Sequence, residues 1–237
     1  MTAEGNLLID PGEGALRQLI LMGLAGCRIE HIFVSNHRLD HCLGLPSVLQ
    51  HLLDSLGCKV SLLFPAESAH ELGRLLDFSG LSQSTSVRMQ PLTDSAIVDL
   101  RSEFRVARLA HDIASLGLRW RLTGGEIFSF VPDTAPCQAA IDLARDADLL
   151  LCHADDLDHR RDSVHQRALM TARDAAVLAR DAGVNRMLLS HYQPMLAEPT
   201  AFLHEARRVF VASDITYDLT EHAIESRAEL TTLTNAS

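Results

Sequence analysis

The feature that most limits what this 237-residue chain can become is an alternation of short apolar runs, rich in β-branched residues, with longer segments of helical period. That is the pattern of strands separated by helices in a layered α/β fold. Strands are expected at Asn6–Ile9, His31–Ser35, Lys59–Leu63, Phe104–Arg108, Gly117–Leu122, Ile127–Val131, Leu149–His153, Met187–Ser190 and Asp214–Tyr217. Helices are expected at Gly14–Leu24, Leu45–Leu56, Ser68–Phe78, Pro136–Arg145, Thr171–Ala182 and Pro199–Val209. Val87 to Leu122 lacks a long helical pattern and reads as consecutive antiparallel strands, so a mixed sheet is expected. With no repeat in sight, residues 1–224 read as one domain and 225–237 as a loose tail.

Composition narrows the function classes. Lys and Arg number 21 against 31 Asp and Glu, a formal charge of -10, so the field around the molecule disfavours a nucleic-acid partner unless basic groups gather locally. The five cysteines (Cys27, Cys42, Cys58, Cys137, Cys152) are odd in number, widely spaced and without a C-x-x-C pair. This argues against a disulfide framework and a cysteine-rich zinc module, and points to a reducing cytoplasm. The start of the chain has no basic stretch leading into an apolar one, and no run approaches the roughly 18 apolar residues of a membrane span.

Twelve histidines are present, and position sorts them. His31, His51, His70, His159, His165, His204 and His222 lie in helical or polar stretches and read as structural. Asn36 to His41, His111, Asp133, His153 and His191 lie at strand ends, where α/β sheets carry their chemistry. The strand HIFVS runs into NHRLDH and then into CLGLPSVL, which puts Asp40 and His41 in a tight strand-to-helix turn. Carboxylate and imidazole side by side suit zinc or manganese; an ordinary loop hydrogen bond is equally open on spacing alone.

The run LLIDPGEGALRQL followed by IEHIFVSNHRLDHCLGLPSVL resembles the metallo-β-lactamase superfamily, in particular its ribonuclease Z branch with D-C-G-E-G and H-x-H-x-D-H-x-x-G-L-P patterns. HDIASLGLRW, VPDTAP, DADLLLCHAD and VNRMLLSHYQP continue the likeness in order over about residues 6 to 220. The resemblance implies a four-layer αβ/βα sandwich that would lack the family's first strands, since Asn6 opens the D-C-G-E-G strand almost at once. It also implies a homodimer; the open sheet edge is expected either to be covered by a partner copy or to reflect a chain start placed too late.

Carried over by position, the resemblance gives His111 and Asp133 to a first metal and Asp40, His41, Asp133 and His191 to a second, with Asp133 bridging. The two leading histidines of the motif fall on Asn36 and Arg38, so one zinc (or manganese) ion is expected rather than two. Arg38 cannot coordinate a cation; it either grips an anionic substrate oxygen or turns outward or pairs with Asp40 or Asp133. Asp40, His111 and Arg38 are therefore the catalytic candidates. Gly12, Gly14, Gly44 and Pro46 are expected to serve backbone turns.

Other departures bear on substrate. Leu169 replaces a histidine that assists proton transfer in that branch, and the long arm that clasps tRNA would fall between Trp120 and Asp133, where only about a dozen residues stand. His153 falls on the glutamate of an H-E-A-T segment, and Cys152 on its histidine. Three readings follow: a metal-dependent hydrolase of a phosphodiester or another small anionic ester, a non-catalytic descendant, and a tRNA 3′-end nuclease.

Overall fold

The structure is a computed structural model that describes residues 6–193, 195 and 197–226. The chain divides into two compact units, Met1–Thr93 and Asp94–Ser237, each built around a sheet and core of its own.

In the first unit the order is β1 (Leu7–Ile9), α1 (Ala15–Leu21), β2 (His31–Phe33), α2 (Leu39–Cys42), α3 (Leu45–Asp54), β3 (Val60–Pro65), α4 (Ala69–Phe78) and β4 (Val87–Leu92). The four strands pair in sequence order and all in parallel. Parallel neighbours need crossovers, which the intervening helices supply. The helix α3 buries Leu45, Val48, Leu49 and Leu52, an i, i+3, i+4, i+7 stripe, and α4 buries Leu72 and Leu76. They pack with Ile32, Val34, Val60, Leu62 and Phe64 into one core. Among the described residues β1 and β4 are the edge strands of this sheet.

The second unit runs β5 (Ile97–Asp99), β6 (Glu103–Arg108), β7 (Leu116–Arg121), β8 (Ile127–Val131), α5 (Gln138–Ala144), β9 (Leu149–His153), α6 (Arg161–Gln166), α7 (Ala172–Asp181), β10 (Arg186–Ser190), α8 (Pro199–Arg207) and β11 (Ser213–Ile215). Its sheet, in the order β11-β10-β9-β8-β7-β6-β5, is antiparallel from β5 to β8 and parallel from β8 to β11. The helix α7 presents Ala172, Ala175, Ala176 and Ala179, small residues that let it lie close against its neighbours, and α8 adds Phe202 and Ala206. At the start of α7, Thr171 and Asp174 form a reciprocal capping box.

Three sequence expectations need correction. Val87–Leu92 is not part of an antiparallel run but the parallel outer partner of β3, so the mixed sheet begins only at β5. A four-residue helix, α2, occupies the turn expected to hold Asp40 and His41, and α6 was not anticipated. Both are too short for helical periodicity to register. The expected tail 225–237 lies, from residue 227 on, outside the described residues. No helix among the described residues is long and apolar enough to cross a membrane.

Candidate metal centre

Each unit arranges its own group of polar side chains. In the first, the backbone leaves β1 at Asp10 with φ 45, which turns its carboxylate back across the sheet. Asp10 Oδ1 accepts from the Ser35 amide at 2.6 Å and Oδ2 from the Ser35 hydroxyl at 2.6 Å. His41 Nδ1 stands 2.7 Å from Asp10 Oδ2, with the imidazole only 1% exposed. A carboxylate can only accept, so Nδ1 carries the proton. This is the arrangement in which a carboxylate fixes the tautomer of a metal-ligating histidine. Asp10 carried no role in the sequence reading; its signal was the D of DPGEG at the end of a strand.

Two glycines hold this group together. A Cβ on Gly12 would lie 2.0 Å from the Asp40 carbonyl oxygen, and one on Gly44 would lie 2.0 Å from the Gly12 carbonyl oxygen. The DPGEG turn and the ends of α2 thus touch backbone to backbone, with Gly44 N donating to Pro11 O at 2.9 Å. The motif positions before α2 behave differently from one another. Asn36 is buried and caps the turn by accepting from Arg38 N at 2.9 Å, while its Nδ2 has no hydrogen-bond partner among the described residues. His37 Nδ1 lies 3.0 Å from Ser68 Oγ. Arg38 and Asp40 are exposed, whereas His41 is buried, so the neighbouring carboxylate and imidazole point to different surroundings.

The second unit gathers its side chains by strand register. β8, β9 and β10 are parallel neighbours, with Val131 opposite Cys152 and His153 opposite Ser190. Asp133, two residues past β8, His153, the last residue of β9, and His191, the first after β10, consequently emerge at the same carboxyl-terminal edge, the edge where open α/β sheets bind ligands. His153 Nδ1 is 3.1 Å and His191 Nδ1 3.6 Å from Asp133 Oδ1. The two imidazoles stack with centroids 4.4 Å apart and planes 12° off parallel, and Phe130 meets the His153 ring edge-on at 5.2 Å. The backbone of His191 is left-handed, φ 57, which swings its ring over the neighbouring strand. Asp133 is anchored from behind, its carbonyl accepting from Ser115 Oγ at 2.9 Å.

The fit to a cation can be tested on these distances. A tetrahedral ion with bonds of about 2.0–2.2 Å sets its ligand atoms roughly 3.3 Å apart. The separations of 3.1 and 3.6 Å bracket that spacing, and one ligand atom from each of Asp133, His153 and His191 falls within a 4.8 Å circle. The Asp133 side chain is only 5% exposed, and a buried carboxylate calls for a counter-charge. Nitrogen and oxygen donors suit zinc or manganese. These residues fit such an ion.

His111 is placed apart from that gathering. Its side chain is fully buried, Nδ1 donates to the Ala168 carbonyl at 3.0 Å, and Nε2 lies 2.9 Å from Asp112 Oδ1 at an angle that makes no hydrogen bond. Beyond the strand ends, Asp155 accepts from Gln193 Nε2 at 2.8 Å and from both terminal nitrogens of Arg167, tying the segment after His191 to that after His153. Leu169 offers no proton, and its backbone closes the turn after α6. The two thiols beside site residues are inert: burial, with the Asp10 and Asp40 charges added, pushes Cys42 up to about 11, and burial alone raises Cys152.

The family described as the Beta-lactamase superfamily domain matches residues 5–192. The ribonuclease Z of Chlamydia pneumoniae is 30% identical over 254 residues, a match covering 86% of this chain and 82% of that protein. Among solved structures, the metallo-beta-lactamase fold protein YhfI from Bacillus subtilis superposes with a TM-score of 0.78 at 18% identity, over 92% of this chain and 87% of that one. The human short-form tRNase Z does so with a TM-score of 0.76 at 22% identity, over 95% and 91%. The two sheets and their helices are those of the metallo-β-lactamase fold, and the chain belongs to that superfamily, in its ribonuclease Z-like branch.

Proposed function

We propose that the chain is a metal-dependent phosphodiesterase that works with one zinc or manganese ion. The convergence of Asp133 and His191 at the carboxyl-terminal edge of the second sheet carries this reading. By family membership, His41, Asp40 and His111 stand as further ligand candidates. Bound there, the ion supplies Lewis acidity toward a phosphoryl oxygen and toward water. The residues do the rest. Asp10 holds the proton on His41 Nδ1 and so fixes the orientation of the ring. Arg38, exposed at the start of α2, meets an anionic ester oxygen that the missing histidines no longer serve.

With leucine at 169, no imidazole at that position delivers a proton to the leaving oxygen. The proposed enzyme therefore prefers esters whose leaving group is already acidic, and handles an RNA 3′ end poorly. The test is turnover of bis-p-nitrophenyl phosphate and of an RNA carrying a 3′ trailer, after purification without chelator and with zinc or manganese added. Metal-dependent turnover of the aryl ester, lost in Asp133→Ala, is expected. An inactive protein under every metal would instead favour the non-catalytic descendant, and faster cleavage of the RNA would reverse the substrate preference.

A further inference from the structure

We infer that His153 is a ligand of the metal, recruited from the end of β9 to make good the histidines absent at positions 36 and 38. The inference rests on the metal-dependent reading above and goes beyond it, because position 153 holds no ligand in the motif by which that reading was reached. Three observations carry it. His153 Nδ1 stands 3.1 Å from Asp133 Oδ1, close enough for the two atoms to share one tetrahedral ion as well as to hydrogen-bond. Its ring lies stacked on His191, with centroids 4.4 Å apart and planes only 12° from parallel, which holds the two imidazoles side by side at Asp133. Its orientation is fixed by packing, with Phe130 against one edge and only 12% of the side chain exposed. Asp133, His153 and His191 would then supply three donors of the kinds zinc accepts from one edge of the second sheet.

The competing account is that His153 donates Nδ1–H to Asp133 and only steadies it. Loss of such support weakens metal affinity by about 10–100-fold, so affinity and ligand identity must both be read. In a Cys152→Ser background, His153→Cys protein is loaded with cobalt(II). A thiolate at 153 inside the coordination sphere gives an intense near-ultraviolet sulfur-to-cobalt charge-transfer band that the Cys152→Ser parent lacks. In parallel, His153→Ala should lower zinc affinity by more than about 100-fold, beyond the loss expected for a supporting hydrogen bond, and X-ray absorption of the zinc-loaded protein should lose one imidazole. Far-ultraviolet circular dichroism verifies the fold of each variant. Cobalt bound stoichiometrically without the band, or an unchanged imidazole count in His153→Ala, overturns the inference. Neither readout involves turnover: a band in a protein that hydrolyses nothing would sink the phosphodiesterase reading alone, and an active enzyme without the band would sink this inference alone.

Discussion

Replacing Gly12 with alanine should damage the site through its backbone, without touching a polar group. The added Cβ would sit 2.0 Å from the Asp40 carbonyl oxygen, where ordinary carbon-to-oxygen contact is about 3.3 Å. Relief therefore requires a displacement of about 1.3 Å between the DPGEG turn and α2. No flexible side-chain end is available to yield, because the obstacle is backbone. Overpacking of this kind costs about 1–3 kcal/mol. The moving segment carries His41, whose Nδ1 must stay within reach of Asp10, and a 1 Å misplacement of such a group costs about 100-fold in rate. Gly14→Ala is the matched control. Gly14 has φ 79 and nothing within 4 Å of a built Cβ, so the change should cost about 1–2 kcal/mol from backbone strain alone and leave zinc affinity and turnover intact. Urea denaturation, zinc titration and aryl ester turnover would be measured on both. Turnover and zinc affinity at wild-type level in Gly12→Ala, or equal losses in the two variants, would refute the account of the interlocked glycines.

Other consequences can be read from the second unit. Asp174 accepts from Arg161 Nη2 at 2.6 Å, His165 Nε2 at 2.8 Å, Thr171 Oγ1 at 2.9 Å and Thr171 N at 3.1 Å, so Asp174→Ala should destabilise the protein by about 2 kcal/mol, a figure held down by the exposure of Arg161 and His165. Burial raises the Asp174 carboxyl, but hydrogen bonds from His165 and Thr171 and the Arg161 charge outweigh it and leave the carboxyl below its ordinary value. Its contribution is thus complete above the usual aspartate value of about 3.9 and is lost as acid titrates it in the folded state; acid melts of wild type and Asp174→Ala should converge in that range. Cys42, Cys58 and Cys152 are buried while Cys27 and Cys137 are partly exposed, so a thiol reagent should titrate two cysteines in the native protein and all five after unfolding.

Much of the architecture was legible because the central strands of both sheets are short and apolar, and the long helices bury regular stripes such as Leu45, Val48, Leu49 and Leu52. The sequence was silent where regularity is short or context decides. Four residues of α2 make barely one turn, so Asp40 and His41 read as turn residues although they lie on a helix. β4 contains Pro91, which cannot donate to a ladder and is tolerated because, among the described residues, this strand has a partner on one side only. The placement of His153 was hidden for a different reason. Its position at a strand end was visible, but its distance from Asp133 depends on the register of β8 against β9, which separates the two by twenty residues of chain and no local pattern encodes. Asp10 was concealed likewise, since its partner His41 is brought to it by the parallel pairing of β1 with β2.

The protonated thiols bear on which ion a cell would load. Cys42 follows His41 and Cys152 precedes His153, so each of two candidate ligands has a soft sulfur one residue away. Both thiols are buried and engaged, Cys42 Sγ donating to the Arg38 carbonyl at 3.2 Å and Cys152 Sγ to the His153 carbonyl at 3.6 Å. The donors left to the centre are nitrogen and oxygen alone. Copper(I), which seeks thiolate, would find little to hold, while borderline ions that accept imidazole and carboxylate together would be retained. By withholding two sulfurs, the fold filters its metal before any chemistry begins.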